Sequence, residues 1–377
     1  EEKEEKEEKE EKEEKEEKEE KEEKEGIAGD ALDWLSHYLQ DRRQRVRVHA
    51  ATSAWAHLPA GVPQGSVLGP LLFLAYTSDL PAAVTNSDTA CDQFADDTAL
   101  TTCSASALLA EAGLQQSVTD TAEWLHRWRL KVNPTKTVIM TTTRRPQTIS
   151  ANIKLNGLQL TQVDTHRHLG LVLASDLRWT AHVEALLTKA TPLLRVMKRL
   201  RTALNPAALC AVYKLYMRPL LEYSSVAWAK LPAHLSDRLE RLQRHAAKIM
   251  LGRKLFTASD HDEVLCTAGL ESLASRRALK AAILGHALAL KRAPQHLQDV
   301  SFPVRDIPHN TRSTQHFNTP IANTQLYQSS PIFHASEIYN GLSKDLQQIK
   351  TVKKFKAHAR IALLSSLCPC TRHIRVS

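Results

Sequence analysis

At 377 residues the chain is long enough for two or three domains, and its 42% hydrophobic and 24% charged content is ordinary for a soluble protein. No apolar run approaches the ~18–20 residues of a membrane helix, and the Glu-Lys opening is not that of a secretory signal, so membrane-spanning and secreted classes are set aside. The net charge of +8 conceals an asymmetry: residues 1–25 hold 17 Glu and 8 Lys, a net of −9, which leaves +17 on the rest. A body that basic points to a polyanionic partner, nucleic acid ahead of a membrane surface. The six cysteines (Cys91, Cys103, Cys210, Cys266, Cys368 and Cys370) are scattered, which predicts reduced thiols in an intracellular protein.

Residues 1–25 repeat Glu-Glu-Lys and have no apolar face, so they read as a solvated low-complexity helix or tail outside any core. Asp30 is a candidate cap for a helix to about Gln40, with Trp34, Leu35, Tyr38 and Leu39 as its buried face. The run Arg42–His49 then switches to period two. Val46 and Val48 share one side, while Arg45, Arg47 and His49 share the other. That polar side is either the wet face of an edge strand or a phosphate contact.

Two short runs follow that carry more. Gly61-Val-Pro-Gln-Gly-Ser-Val-Leu-Gly-Pro70 is rich in residues that fix the backbone, and Gly69-Pro70 reads as the N-cap and first residue of a helix. Gln64 projects from this rigid loop with an amide that both donates and accepts. Phe94-Ala-Asp-Asp97 lies between threonine-rich apolar stretches and reads as a hairpin turn carrying two adjacent carboxylates. Neighbouring carboxylates repel, and a cation with oxygen ligands relieves them; Mg²⁺ suits that donor set.

Ser104 or Ser106 opens a long helix with Leu114, Val118, Ala122, Leu125 and Trp128 as its stripe. Leu130–Met140 reads as a loop, containing Lys136, that leads into a strand. Ile153–Leu160 and His168–Leu173 are strand-like. From Thr180 the pattern is helical. Val183, Leu186, Leu187, Ala190, Leu194 and Met197 form one stripe, and a helix over Leu209–Trp228 is broken near Pro219. Residues 235–250 form an amphipath whose apolar side is Leu235, Leu239, Leu242, Ala246 and Ile249. Its polar side holds Arg238, Arg241, Arg244, His245 and Lys248. Leu270–Leu290 is helical, 300–330 irregular, and 335–365 holds one or two helices. Cys368-Pro-Cys370 with His373 lacks a second ligand pair for a closed zinc site and reads as a tail.

The order GVPQGSVLGPLLF then FADDTAL resembles two core motifs of reverse transcriptases, in the non-LTR (LINE-type) retrotransposon branch. The resemblance covers roughly residues 27–250 well, and 251–377 loosely. It implies that Pro63, Gln64 and Gly65 line the template–nucleotide pocket, with Arg45 and Arg47 beside it. Asp96 and Asp97 would be catalytic metal ligands. Lys136 matches the lysine near the incoming triphosphate, where it would assist the leaving pyrophosphate. His168, Leu169 and Gly170 resemble the primer-grip hairpin that holds the growing 3′ end. Arg238, Arg241, Arg244 and Lys248 would grip the nucleic-acid backbone.

The implied fold is α+β: a partial right-hand polymerase palm, an antiparallel sheet with helices, followed by a helical thumb and a helical C-terminal region. The expected divisions are 1–25 (tail), 26–150 (partial fingers and palm), 151–175 (primer-grip-like hairpin), 176–250 (thumb) and 251–377. The implied activity is RNA-directed DNA synthesis with Mg²⁺, or Mn²⁺ in its place. Its partners would be an RNA template, a DNA primer or RNA–DNA hybrid, and dNTPs, with no membrane. Family spacing puts a first metal-binding aspartate upstream of the Trp34 helix, where this chain has only Glu-Glu-Lys repeats. An N-terminally truncated, impaired enzyme is therefore expected. A catalytically inactive remnant that grips RNA or RNA–DNA hybrid is the alternative.

Overall fold

The computed structural model describes residues 28–58, 60–63, 65–143, 150–252, 261–304 and 316–365. The Glu-Lys repeats, Gln64 and the Cys368–His373 segment lie outside the described residues. Two compact units divide the chain: Glu1–Thr141 with Gln147–Gln162, and Thr142–Pro146 with Val163–Ser377.

The first unit opens with α1 (Asp30–Leu39). Gly29 is the cap, and Asp30 is the first helical residue, where its charge suits the helix dipole. Leu35 alone of the expected face is buried; Trp34 is 57% exposed and stacks on Tyr38. Residues 43–57 form a two-stranded arm. In it β1 (Arg43–Gln44) pairs with β4 (Ala56–His57) and β2 (Arg47–Val48) with β3 (Ala51–Thr52), all antiparallel. Val46 and Val48 are 63% and 61% exposed, so the period-two pattern is present but its apolar face is not covered.

After the loop come α2 (Gly69–Thr77) and α3 (Leu80–Ala83), then the hairpin of β5 (Thr89–Phe94) and β6 (Asp97–Thr102), then α4 (Ala107–Arg127) capped by Ser106. β7 (Val138–Ile139) pairs in parallel with β10 (Thr161–Gln162). β8 (Lys154–Leu155) and β9 (Leu158–Gln159) close on Asn156-Gly157, the residues a two-residue hairpin turn favours. Ile139, Ile153, Leu155 and Leu160 make a small core against Leu114, Val118 and Ala122 of α4. The expected single antiparallel palm sheet is corrected here. The described strands form separate two-stranded ladders, one of them parallel.

The second unit begins with the hairpin of β11 (Thr165–His168) and β12 (Leu171–Ala174) and continues in helices. These are α5 (Thr180–Leu200), α6 (Pro206–Val212), a π-turn at Tyr213–Met217, α7 (Arg218–Glu222), α8 (Ala233–Leu251), α9 (His261–Thr267) and α10 (Leu273–Ala289). Pro219 sits in the first turn of α7. It has no N–H for the ladder, and just before it the Arg218 N–H reaches back five residues to the Tyr213 carbonyl. The break expected near Pro219 is thus a π-bulge, and the helix ends at Glu222, short of Trp228. Val183, Leu186, Ala190, Leu194 and Met197 of α5 pack with Leu235, Leu239, Leu242 and Ala246 of α8 in the main core.

Beyond α10 lie α11 (Gln295–Asp299), α12 (Gln325–Gln328), α13 (Pro331–Asn340), α14 (Lys344–Gln347) and α15 (Val352–Ser365). Phe317, Tyr339 and Phe355 centre a second core against α10. Mixed helix and short strand is thus the architecture. No helix among the described residues is long and apolar enough to cross a membrane. Cys91, Cys103 and Cys210 are free thiols, but Cys266 is disulfide-bonded, against the expectation for it.

Candidate active-site turn and nucleic-acid surface

Six consecutive cross-strand pairs, from Thr89↔Thr102 to Phe94↔Asp97, build the β5–β6 hairpin up to a two-residue turn of Ala95 and Asp96. Ala95 is in the left-handed region, φ 54°, which reverses the chain sharply. Asp96 therefore sits in the turn itself, and Asp97 begins the returning strand. Both carboxylates are exposed, and the Phe94 ring beside them is 66% exposed. Among the described residues no cluster of three or more acidic, histidine or cysteine side chains gathers there. One or two carboxylates at an open tip still fit Mg²⁺, which keeps several waters and takes its other ligands from substrate phosphates.

The root of this hairpin is bolted to α4. The Ser117 hydroxyl, fully buried, lies 2.9 Å from both the Thr89 hydroxyl and the Gly113 carbonyl, and Thr89 lies 2.7 Å from Thr102 across the ladder. Gly113 is required by close approach, since a Cβ there would crowd the Asn86 amide and come within 3.3 Å of Thr102 Cγ2. Asp120 on the same helix accepts from the Thr85 N–H and hydroxyl at 2.8 and 2.7 Å and from Gln116 at 2.7 Å. Burial pushes its carboxyl up, but those donors outweigh it and the net shift is downward. Burial first, and then Asp92, push the Cys91 thiol up, so it stays neutral. Neither Ser117 nor Gly113 stood out in the sequence, because a buried serine and a helical glycine have no periodic signal.

In the preceding loop Gly61 and Gly65 are left-handed, φ 84° and 81°. The Ser66 hydroxyl donates to the Pro63 carbonyl at 2.8 Å and accepts from the Gly69 N–H at 2.9 Å, which couples the loop to the first turn of α2. The helix starts at Gly69 with Pro70 in its first turn, one residue earlier than the sequence suggests. Lys136 is exposed on a turn that Asn133 organises: its N–H donates to the Asn133 carbonyl at 3.1 Å. Arg45 stacks over Trp55 at 4.6 Å, and Arg47 donates to the His49 carbonyl at 3.4 Å. Pro63, Gly65, Arg45, Arg47, Asp96, Asp97 and Lys136 all belong to the first unit.

His168, Leu169 and Gly170 belong to the second unit, at the tip of the β11–β12 hairpin. Leu169 and Gly170 form its two-residue turn, both left-handed, so the segment is a hairpin in shape, as the resemblance implies. On α8 the expected simple two-sided pattern is corrected. Glu240, Gln243, Ala247 and Met250 are buried as well, because the helix is packed on more than one side. Gln243 accepts a short hydrogen bond from the Tyr213 hydroxyl and donates to the Glu271 carbonyl at 2.9 Å. Of the four expected backbone contacts Arg241 is exposed, while Arg238, Arg244 and Lys248 are half-buried. Arg238 pairs with Glu184 of α5 at 3.3 Å. Between α5 and α8 runs an open groove of about 400 Å³ lined by Thr191, Leu194, Arg195, Arg241, Leu242 and His245. Arg195, part of the basic end of α5, thus joins Arg241 on one surface.

Comparison with known proteins gives matches in one direction. Residues 16–173 match the family described as reverse transcriptase (RNA-dependent DNA polymerase). Similar relatives come from Drosophila melanogaster. A probable RNA-directed DNA polymerase from transposon BS is 34% identical over 57% of this chain and 25% of its own length. The probable polymerase from transposon X-element is 29% identical over 59% and 25%. The RNA-directed DNA polymerase from mobile element jockey is 30% identical over 49% and 21%. The chain spans about a quarter of the length of these curated relatives.

Proposed function

We propose, for a chain whose residues 16–173 match the reverse transcriptase family, that its work is RNA-templated extension of a DNA primer. The primer 3′-hydroxyl gives up its proton to solvent and its oxygen attacks the α-phosphorus of a dNTP; the new P–O bond forms as the bond from the α-phosphorus to the bridging oxygen breaks, and pyrophosphate leaves. Asp96 and Asp97 would hold Mg²⁺, which when bound would supply charge neutralisation at the reacting phosphate. Lys136 offers its ammonium to the leaving pyrophosphate. Pro63, Gln64 and Gly65, with Arg45 and Arg47, shape the template–nucleotide pocket. His168, Leu169 and Gly170 meet the primer end, and Arg241, Arg244 and Lys248 meet the backbone of the hybrid, while Arg238 is held by Glu184.

One observation carries this reading: the two carboxylates sit at the exposed tip of a hairpin whose root is fixed by buried hydrogen bonds. Exposed acidic turns are common and solvated; one rigidly based and preceded by the glycine-proline loop in this order is not. The test is primer extension on an RNA template with Mg²⁺ and dNTPs, comparing the chain with its Asp96→Asn, Asp97→Asn variant. Extension by the chain, lost by at least ~10²-fold in the variant, is the expected result. No extension by folded protein that still binds the hybrid would favour the inactive binding remnant.

A further inference from the structure

The β11–β12 turn is built from conformations its residues do not favour. Leu169 has φ 45° and Gly170 φ 83°. Two successive left-handed residues suit Asn-Gly or Gly-Gly, whereas a leucine there is strained. Such strain persists only where the surroundings over-determine it, and functional sites are where it collects.

One side chain touches the turn itself. The Tyr223 hydroxyl donates to the Leu169 carbonyl at 3.1 Å. Its ring covers Gly170 so closely that a Cβ on that glycine would stand 2.9 Å from Tyr223 Cε1. Tyr223 follows α7, and its own carbonyl accepts from the Trp228 indole at 3.2 Å, Trp228 being wholly buried. From the other side the Val172 N–H donates to His182 Nδ1 of α5 at 3.3 Å. The tip is therefore tied to the core at two points. Yet Tyr223 is 53% exposed. A brace that exposed contributes more to the shape of the turn than to the core.

We propose that Tyr223 is the positioning residue of this hairpin: it fixes the Leu169-Gly170 turn, and through it the 3′ end of the bound primer. The inference rests on the polymerase reading above. It concerns where the primer end lies, separately from how tightly the hybrid binds, because the basic groove of α5 and α8 is built from other residues. A reacting end displaced by about 1 Å can cost as much as ~10²-fold in rate without weakening binding.

The experiment uses the whole chain with a DNA primer bearing 4-thiothymidine at its 3′ end, annealed to RNA. Photocrosslinks are mapped and the hybrid Kd is measured for the unaltered chain, Tyr223→Phe and Tyr223→Ala. Crosslinks within 165–172 are expected in the unaltered chain. Their yield should fall several-fold in Tyr223→Phe, which keeps the ring and removes only the hydroxyl, and further in Tyr223→Ala. Kd should stay within about two-fold and thermal unfolding should remain cooperative. Unchanged yield in both variants, or a Kd that rises in step with the lost yield, would overturn the proposal. Crosslinks elsewhere, or no hybrid binding by the unaltered chain, would instead overturn the reading it rests on.

Discussion

The Ser117 hydroxyl lies 2.9 Å from that of Thr89, which joins the middle of α4 to the first residue of the hairpin that ends in Asp96 and Asp97. Ser117→Ala removes this link but leaves the Thr89–Thr102 pair intact, so the cost should be about 1 kcal/mol. Gly113→Ala, one turn away, pushes a methyl against Asn86 and Thr102. Overpacking of ~1–3 kcal/mol should outweigh a helix-propensity gain of ~1 kcal/mol. Denaturant unfolding measures both, and a Gly113→Ala chain more stable than the parent would show that the hairpin root can yield.

Glu222 ends α7 inside a cluster of cations. Arg276 grips it through two nitrogens, one at 3.0 Å, and Lys280 lies 3.3 Å away. Burial pushes its carboxyl up, but the Arg276 hydrogen bonds and the two charges prevail, and it lies below the usual range. Its unfolded counterpart takes up a proton first as pH falls. The stability it provides is therefore full above a pH of about 4.3 and is lost as pH drops through the lowered folded value. Glu222→Gln leaves Lys280 without its carboxylate, whereas Arg276 keeps Glu271 at 2.7 Å, and it should cost about 2 kcal/mol at neutral pH. The variant should also show a flatter acid limb, read by unfolding from pH 3 to 7.

Local chemistry made part of this legible in the sequence. The Ala95-Asp96 reversal, the Ser106 start of α4 and the α5 stripe from Val183 to Met197 each depend on neighbours within a few residues. What was not legible depends on what packs against an element from outside. Glu240 and Gln243 are polar residues of an amphipathic helix, yet they are buried because other segments supply partners: the Ala274 N–H of α10 donates to Glu240 at 2.8 Å, and Tyr213 and Glu271 hold Gln243. Trp34 and Val46 look like core and are exposed. The bond from Tyr223 to Leu169 spans 54 residues of sequence, so no local pattern announces it.

His182 predicts a second, milder pH effect. Burial first, and then Lys189, hold its imidazole below the usual pKa, and Nδ1 accepts the Val172 N–H. The folded state thus prefers the neutral ring, and the unfolded chain binds the proton first. Stability should be full above a pH of about 6.5 and decline as pH falls below it. His182→Gln keeps an acceptor near Val172 and cannot titrate. Its thermal midpoint should change less between pH 7 and 5 than that of the parent. His316 and His334 are lowered in the same direction, so the difference between the two chains, not the slope of either, isolates His182.

The α5–α8 groove separates two arginines that look equivalent in sequence. Arg241 is exposed and lines the groove with Arg195, whereas Arg238 is paired with Glu184. A phosphate taking Arg238 must displace that carboxylate, and Arg241 faces no such competitor in the groove lining. Each phosphate neutralised by a cation contributes about −0.7 to −0.9 to the slope of log K against log salt. Arg241→Ala should therefore weaken hybrid binding and shallow that slope by nearly one unit, and Arg195→Ala should act alike. Arg238→Ala should change the slope by much less. Fluorescence anisotropy of a labelled RNA–DNA hybrid at several salt concentrations measures all three. Equal slopes for Arg238→Ala and Arg241→Ala would mean that the Glu184 pair opens on binding, and unchanged slopes in every variant would place the nucleic acid on another surface.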